Sequence, residues 1–332
     1  MGSPELSIVI VNWNSADYVL ECVRSIREQT STVRYEIIVV DNASFDKCED
    51  SLSRDFPNVI FIQSKINLGF GLANNLGAAH AKGDLLLLLN PDTAVMDRAI
   101  DKLYNKFIKL QDPGVAGCRL LNSDGSVQTS CVQSFPTVLN QILDAEILRE
   151  KFPKVSLWGN AVLFEDRILP AKVEAVSGAC MLIYRNAFEK VGGFSSEYFM
   201  YAEDIDLCYR LSREGLINYY IPEANIVHHG DGSVRNAKTN FAVVMAVDSL
   251  WRYFKMNKGY FQATLYRISI VFVASFRLLV ILIKLCLNKL NSKQFIIDDS
   301  LNKWKAIYAW GIGHETWVYK YRSGFNQDKS LR

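Results

Sequence analysis

The sequence predicts an α/β protein in which a mostly parallel sheet is covered by helices on both faces. Two observations predict this class. Short apolar runs rich in β-branched residues alternate with helical patterns in the first half of the chain, and successive runs end in polar clusters. The chain has 332 residues, of which 49% are apolar and 22% charged, so it has room for a large core and a second region. In sheets of this class, ligands bind beyond the carboxyl ends of the strands.

The first half of the chain contains four predicted strands and two predicted helices. The strands cover residues 6–11, 36–40, 59–63 and 85–89, and the helices cover about 16–29 and 71–81. Three strands end in polar clusters, formed by Asn12 with Asn14, Asp41 with Asn42, and Asn90 with Asp92. One cluster could arise by chance, but three at the same edge of a sheet predict a binding site.

The second half is less regular. A strand is predicted over residues 173–184 around Ser177-Gly178-Ala179, a helix over 203–214, and short strands over 217–221 and 225–227. After residue 233 the pattern becomes helical, with aromatic and basic residues near 251–255. We therefore expect one α/β domain over residues 1–235 and a helical region over 236–332.

Residues 264–287 form the most apolar segment of the helical region. Arg267, Arg277 and Lys284 interrupt it, and the longest uncharged run, residues 268–276, is much shorter than the roughly 20 residues that span a bilayer. This pattern predicts an interfacial helix with Arg277 and Lys284 directed at lipid headgroups. Packing in the core and a dimer contact are the alternatives.

Charge and cysteine usage exclude several classes. A net charge of +2 gives no support for nucleic-acid binding. The seven cysteines are scattered without a CxxC spacing, which predicts neither a zinc site nor a disulfide framework, and free thiols favour a reducing compartment. The N-terminus lacks a basic segment followed by an apolar one, so we expect no secretory signal and a cytoplasmic location.

The strand ends carry the residues with the clearest chemistry. Asp41 can accept the N3–H of a pyrimidine ring, although a turn or cap is the alternative. Gly69 and Gly71 precede a helix whose N-terminus favours anions, with a tight turn as the alternative. No GxGxxG follows the first strand, which argues against a nicotinamide oxidoreductase.

Taken in order, these motifs resemble the family-2 glycosyltransferases, which are inverting enzymes of the GT-A fold, and most closely their bacterial rhamnosyltransferase branch. The resemblance covers roughly residues 5–257. The matching motifs are SIVIVNWN (7–14), VDNAS (40–44), NLGFG (67–71) with NN (74–75), LNPDT (89–93), SGA (177–179), EDIDLCYR (203–210) and HHGDGS (228–233).

The resemblance implies a role for each site residue. Asp92 and His228 are expected to hold Mg²⁺ or Mn²⁺ against the donor diphosphate, although Asn90 replaces the usual first aspartate. His229 is adjacent on the same strand and points to the opposite face. Asp204 is the expected catalytic base, with Glu203 as the alternative. The expected donor-binding residues are Asn12, Asn14, Asp41, Asn67, Gly69, Asn74 and Arg210.

Arg210 and Asp206 each have an alternative, structural interpretation. Arg210 is equally well explained by a buried ion pair with the acidic cluster at residues 203–206. Asp206 is explained by the helix dipole, which favours acids in a first turn.

The resemblance implies transfer of one sugar, with L-rhamnose from dTDP-L-rhamnose the first choice, to a saccharide or lipid-linked acceptor in cell-surface polysaccharide synthesis. The chain lacks a Gln-x-x-Arg-Trp motif, which argues against processive synthases. A UDP-hexose or UDP-N-acetylhexosamine donor is the alternative. The rival from another class is a non-catalytic nucleotide-sugar-binding membrane protein. We expect a peripheral protein at the inner face of the cell membrane.

Overall fold

The computed structural model describes residues 2–44, 46–143, 148, 151–155, 157, 160–165, 167–230, 239–287 and 294–321. The chain divides into two compact units. The first comprises Met1–Phe135, Asn160–Phe199 and Glu203–Arg235, and the second comprises Pro136–Gly159, Met200–Ala202 and Asn236–Arg332.

The first unit is an α/β domain. Its first part contains β1 (Leu6–Asn12), α1 (Ala16–Gln29), β2 (Tyr35–Asp41), α2 (Cys48–Asp55), β3 (Ile60–Gln63), α3 (Phe70–Ala78), β4 (Leu85–Leu89), β5 (Thr93–Val95), α4 (Ala99–Phe107) and β6 (Pro113–Leu121). Its second part contains β7 (Val132–Gln133), β8 (Ala171–Val173), β9 (Ala175–Val176), β10 (Cys180–Tyr184), α6 (Arg185–Lys190), α7 (Glu203–Arg213) and β11 (Ile217–His228).

The strands form one large mixed sheet in the order β3-β2-β1-β4-β10-β6-β11-β5, with β8 also paired to β11. Strands β1 to β4 run parallel, β10 runs antiparallel to β4 and β6, and β11 runs parallel to β6. Strands β7 and β9 form a separate pair. The predicted fold class, a mostly parallel sheet flanked by helices, is confirmed.

The register of the sheet brings the predicted polar clusters together. Asn12 pairs with Asp41 across β1 and β2, and Asp41 pairs with Gln63 across β2 and β3. Strand β10 starts at Cys180 opposite Leu89, the last residue of β4, so the segment before β10 lies at the same edge. Because β1, β2 and β4 are buried along their whole or nearly whole length, their polar groups concentrate at this edge.

Three predicted elements differ from the structure. The continuous strand over residues 173–184 is wrong, because Ser177-Gly178-Ala179 lies between β9 and β10 rather than within a strand. The two short strands at 217–221 and 225–227 are a single strand, β11, with an irregular register between Ile221 and Asn225. The helix predicted over residues 71–81 ends at Ala78.

The second unit is helical where the structure describes it. Its helices are α5 (Val138–Ile142), α8 (Thr239–Lys258), α9 (Tyr260–Leu287) and α10 (Gln294–Gly311), followed by a 3-10 turn at Thr316–Tyr321. Helices α8, α9 and α10 pack against one another. Gly259 separates α8 from α9 with a φ of 89°, a conformation that favours glycine.

Helix α9 corrects one expectation about the apolar segment. Its most apolar 18-residue window has a mean hydropathy of 2.4, and the stretch Tyr260–Leu285 meets the length and composition needed to cross a membrane, so the limit inferred from the uncharged run was wrong. The predicted direction of Arg277 toward lipid headgroups stays a prediction. Its guanidinium lies 5.6 Å from the ring centre of Trp304 on α10.

Candidate functional site

The carboxyl ends of β1 and β2 hold a buried carboxylate cluster. Asn12 Nδ2 donates to Asp41 Oδ2 at 2.8 Å, and Asp41 Oδ1 accepts from the Ser44 backbone at 2.7 Å and from Gln63 Nε2 at 2.8 Å. A carboxylate offers about four acceptor positions. Three are used, so Asp41 keeps capacity for one further donor such as a ring N–H.

Asp46 is a member of this cluster that the sequence analysis missed. Its carboxylate accepts from Asn12 Nδ2 at 3.1 Å and from the Ala16 backbone at 2.9 Å, at the start of α1. Asn14 lies beside it with a φ of 52°, and its backbone N–H donates to Ser44 Oγ at 2.8 Å. Because Asp46 sits in a loop after β2 rather than at a strand end, no spacing pattern marks it.

The loop before α3 is fixed by asparagine side chains. Asn42 donates to Asn67 Oδ1 at 2.9 Å and accepts from the Leu68 backbone at 2.7 Å. Gly69 has a φ of 78°, and a Cβ there would lie 2.2 Å from the Phe199 carbonyl oxygen. The space that glycine leaves is therefore filled by protein backbone, so we assign Gly69 to a tight turn.

Asn74, a predicted donor-binding residue, lies in the middle of α3. It is buried, and its Nδ2 donates to the Phe70 carbonyl at 3.0 Å one turn earlier. The adjacent Asn75 forms a pair of hydrogen bonds with the backbone of Phe194. Both asparagines therefore stabilise the domain, and nothing in the geometry supports a donor contact for Asn74.

The guanidinium of Arg210 is also engaged inside the fold. It pairs with Asp206 at 2.7 Å and donates to the carbonyls of Val191 at 2.6 Å and Gly193 at 2.8 Å. Asp206 is fully buried and also accepts from the Tyr198 hydroxyl. This is the ion pair that the sequence left open, and we now favour it over contact with the diphosphate.

Asp92 and His228 meet at the end of the sheet between β4 and β11. Asp92 Oδ1 lies 3.4 Å from His228 Nε2. On the other side of the ring, His228 Nδ1 lies 2.9 Å from Gln128 Oε1, and Gln128 Nε2 donates to the His228 carbonyl at 2.7 Å. Because an amide oxygen only accepts, Nδ1 carries a proton, and Nε2 is the ring nitrogen that faces Asp92.

His229 points away from this pair. Its Nδ1 lies 2.9 Å from Ser123 Oγ, and its Nε2 lies 4.0 Å from Glu21. Its backbone N–H donates to the Asp92 carbonyl at 2.9 Å, which fixes the backbone around Asp92. The two adjacent imidazoles thus have different partners, with His228 the last residue of β11 and His229 just beyond it.

The residues around Asp92 have the chemistry of a site for a divalent cation. Asn90 Nδ2 lies 3.3 Å from His228 Nε2, and Asn90 Oδ1 is buried with no hydrogen-bond partner among the described residues. A carboxylate, an imidazole and an amide oxygen suit Mg²⁺ or Mn²⁺. The described residues contain no group of three or more His, Cys, Asp or Glu side chains that could hold a metal ion.

Asp204 lies at the start of α7. Its Oδ2 accepts from the Gly178 backbone at 2.9 Å and from Gln133 Nε2 at 3.3 Å. The backbone N–H of Asn90 donates to the Ala179 carbonyl at 3.0 Å, so Ser177-Gly178-Ala179 links the two groups of acids. Burial raises the pKa of Asp204, and the hydrogen bond from Gly178 partly offsets this effect.

Glu203 has a different environment from its neighbour. It is buried, and its Oε2 has no hydrogen-bond partner among the described residues, whereas Asp204 is partly accessible. Burial, reinforced by the nearby charge of Asp204, raises the pKa of Glu203 to about 8. Glu203 is therefore protonated at neutral pH, and Asp204 is the better placed proton acceptor.

The raised pKa of Glu203 predicts a pH-dependent stability. The folded chain keeps a proton that the unfolded chain releases, so the free energy of unfolding should fall as pH rises from 4.5 to about 8. Glu203→Gln should remove this loss, which is on the order of a few kcal/mol. Denaturant unfolding at pH 5.5 and 8.5 measures it.

Glu28, an exposed residue of α1, provides the matched control. Glu28→Gln should leave the pH profile of the wild type unchanged. A wild-type stability that stays flat or rises between pH 5.5 and 8.5 would contradict a protonated Glu203.

Comparison with known proteins shows the family to which the chain belongs. The description "Glycosyl transferase family 2" matches residues 7–192. The chain is 30% identical over 237 residues to the N-acetylglucosaminyl-diphospho-decaprenol L-rhamnosyltransferase of Mycobacterium tuberculosis, covering 68% of this chain and 76% of that protein. It is 29% identical over 237 residues to rhamnosyltransferase WbbL of Escherichia coli, covering 67% of this chain and 82% of WbbL.

Solved structures share the fold at low sequence identity. A mannosyltransferase from Pyrobaculum calidifontis in complex with GDP-Man and Mn²⁺ matches with a TM-score of 0.55 and 14% identity, covering 94% of this chain and 88% of that one. GalNAc-T7 with UDP, GalNAc and Mn²⁺ matches with a TM-score of 0.58 and 14% identity, covering 98% of this chain and 58% of that one. These likenesses confirm the expected GT-A fold.

The family description covers more than half of the chain, from β1 through the segment that carries Asp41, Asp92 and Gly178. The chain belongs to glycosyl transferase family 2 and is a glycosyltransferase.

Proposed function

We propose that this glycosyltransferase transfers one L-rhamnose from dTDP-L-rhamnose to a saccharide or lipid-linked saccharide acceptor, with inversion, in cell-surface polysaccharide synthesis. The observation that carries the proposal is the pairing of Asp92 with His228, which Asn90 and the backbone of Gly178 and Ala179 connect to the carboxylate of Asp204. The rhamnose assignment is supported by the two relatives that are named rhamnosyltransferases. A lipid-linked acceptor is supported by the decaprenol in the name of the mycobacterial relative.

In the proposed reaction, Asp204 removes the proton from the acceptor hydroxyl while that oxygen attacks the anomeric carbon. The new carbon–oxygen bond forms as the bond to the diphosphate breaks, and dTDP leaves. The Gly178 and Gln133 donors hold the Asp204 carboxylate in a fixed orientation. A single displacement inverts the anomeric configuration.

Asp92, His228 and the amide oxygen of Asn90 would hold Mg²⁺ or Mn²⁺. When bound, such a cation stabilises the negative charge that develops on the departing diphosphate. Gln128 contributes by accepting the Nδ1–H of His228, which orients the ring with Nε2 toward Asp92. We therefore add Gln128 to the residues that position this site.

Asp41 is the proposed contact to the donor base, and its replacement tests the assignment. Asp41→Ala should weaken binding of both UDP and dTDP by about 1–3 kcal/mol, the scale of one hydrogen bond to a charged group. GDP binding should not change, because a purine lacks the pyrimidine N3–H. Calorimetry of the three nucleotides measures these affinities.

Asp55, a residue with no buried partner at the end of α2, supplies the control through Asp55→Ala. Thermal unfolding of Asp41→Ala separates lost binding from lost folding, since Asp41 also stabilises the Asn12 cluster. An unchanged affinity of Asp41→Ala for dTDP would remove Asp41 from the donor site.

The division of the chain into a catalytic domain and a membrane-associated region is also part of the proposal. We place the catalytic domain in residues 1–235 and a membrane-associated region in residues 236–332, at the inner face of the cell membrane. Support comes from the words decaprenol and O-antigen biosynthesis in the names of two relatives and from the apolar helix α9. A UDP-hexose or UDP-N-acetylhexosamine donor is the second candidate within the class.

A nucleotide-sugar panel tests the proposed function. We expect dTDP-L-rhamnose with Mn²⁺ to raise the melting temperature more than UDP-glucose, UDP-N-acetylglucosamine or GDP-mannose, and to be slowly hydrolysed. Stabilisation by a UDP-sugar alone would move the proposal to that donor. Binding without hydrolysis or transfer would favour the non-catalytic alternative.

A further inference from the structure

One face of helix α9 is apolar and exposed along most of its length. The side chains of Phe261, Phe272 and Phe276 are 77%, 71% and 64% exposed, and those of Leu265, Ile268 and Leu279 are 39–54% exposed. They recur at spacings of three and four residues, which places them on one side of the helix. From Phe261 to Leu279 this apolar face of α9 runs about 27 Å.

The opposite face of α9 packs within the helical unit. Ala263, Tyr266, Ile270 and Ala274 are buried at helical spacing, and α8 and α10 supply the contacts. Arg267 also turns toward α10, where it donates to the carbonyls of Gly311 and Trp310. With Arg277 over Trp304, neither arginine interrupts the apolar face.

The net positive charge of the chain is concentrated in its last part, which contains α8, α9 and α10. Residues 236–332 contain 15 Lys and Arg against 5 Asp and Glu, a net charge of +10. Residues 1–235 contain 22 Lys and Arg against 30 Asp and Glu, a net charge of −8. An exposed apolar helix face within a basic region is the pattern of binding to anionic lipid. A second copy fits less well, because two regions of +10 repel each other.

The packing of α10 bears on how α9 meets a bilayer. Trp304 lies against Arg277, in the middle third of α9, and its neighbours Lys303 and Lys305 are exposed. If α9 crossed the membrane, α10 would carry both lysines to the hydrocarbon centre, where charged groups are costly. A helix lying along the surface keeps the lysines near headgroups.

We propose that α9 lies in the plane of an anionic bilayer and inserts its apolar face into one leaflet without spanning. The proposal rests on the proposed function in one respect, since it gives the surface on which a lipid-linked acceptor reaches the enzyme. Its residues lie in the second unit and include none of the proposed catalytic residues.

Vesicle binding by the full chain tests whether anionic lipid is the partner of the apolar face of α9. The chain should co-sediment with phosphatidylglycerol vesicles at least tenfold more tightly than with phosphatidylcholine vesicles. Phe272→Ser and Phe276→Ser should each weaken binding by about tenfold or more. Ile108→Ser, at an exposed position after α4 in the first unit, should bind like the wild type. Equal binding by all four chains would overturn the proposal.

Depth measurements distinguish a helix α9 that lies along the bilayer surface from one that spans the bilayer. Leu265→Trp, Phe272→Trp and Leu279→Trp place a reporter along the face, and quenching by lipids brominated at different carbons reports its depth above the wild-type background. We expect similar shallow depths at all three positions. A spanning helix would separate positions 265 and 279 by about 21 Å across the bilayer, and such a gradient would overturn the proposal.

Two further outcomes are decisive. A dimer in light scattering that Phe272→Ser dissociates, together with no vesicle binding, would assign the face to a second copy and overturn the lipid assignment. Hydrolysis of dTDP-L-rhamnose by the lipid-free chain tests the proposed function separately. Lipid binding with no hydrolysis supports the membrane inference while the donor assignment fails.

Discussion

Replacing Asp204 with asparagine should lower kcat by about 10²–10⁴-fold, the contribution that general base catalysis makes. The substitution preserves the shape of the side chain but removes its basicity. Donor affinity should stay within a few-fold, because Asp204 contacts Gly178 and Gln133 rather than the nucleotide cluster. Single-turnover kinetics and donor titration by calorimetry measure the two quantities separately.

Glu203→Gln is the matched control for Asp204→Asn, since it makes the same chemical change one residue earlier. Glu203 is buried and protonated at neutral pH, so its amide variant should retain most of the activity. If Glu203→Gln is inactive and Asp204→Asn is normal, the two roles are reversed. If both variants are active, the base is neither of these two residues and the proposed site is wrong.

Removing the cation should have the other large effect. Activity should fall by at least about 10²-fold in excess chelator, because uncompensated charge on the leaving diphosphate raises the barrier. It should return when Mg²⁺ or Mn²⁺ is added. Asp92→Ala should resemble the chelated enzyme and should lose the Mn²⁺ dependence of the wild type, as measured by initial rates across a metal titration.

Asp97→Ala is the control for Asp92→Ala. Asp97 lies five residues later and pairs with Lys102 at the surface. Its loss should leave both turnover and metal dependence unchanged. Full wild-type activity in excess chelator would remove the cation from the mechanism and leave Asp92 with a structural role.

The strand ends were predictable from sequence because parallel strands share an edge. Asn12 and Asp41 are 29 residues apart, yet the register of β1 and β2 places them side by side. The same logic located Asp92 after β4. The partnership of Asp92 with His228, which are far apart in the chain, came from the order of motifs rather than from any local pattern.

Other site residues could not be assigned from sequence because their partners are set by tertiary contacts. Gly69 is required by the approach of Phe199, and Arg210 is held by carbonyls near residue 192. Gln128 and Asp46 position functional groups from loops, where no periodicity marks them. The tertiary contacts of a polar residue beside a site must therefore be known before a role can be assigned to that residue.

Helix α9 also shows that a role cannot be assigned from sequence when it depends on tertiary contacts. A count of consecutive uncharged residues treated Arg277 as an interruption, but in the fold its guanidinium lies on Trp304 and leaves the opposite face of α9 uncharged. The direction of a long basic side chain depends on which helix packs beside it, and that neighbour lies beyond the local sequence.

The central claim is that this enzyme makes one inverting transfer of rhamnose, and the product of a single reaction tests it most directly. The full chain is incubated with dTDP-L-rhamnose, Mn²⁺ and a lipid-linked N-acetylglucosaminyl diphosphate, and the product is examined by mass spectrometry and NMR. We expect one added deoxyhexose whose anomeric configuration is opposite to that in the donor. A product with retained configuration, or a chain of several added sugars, would contradict the account.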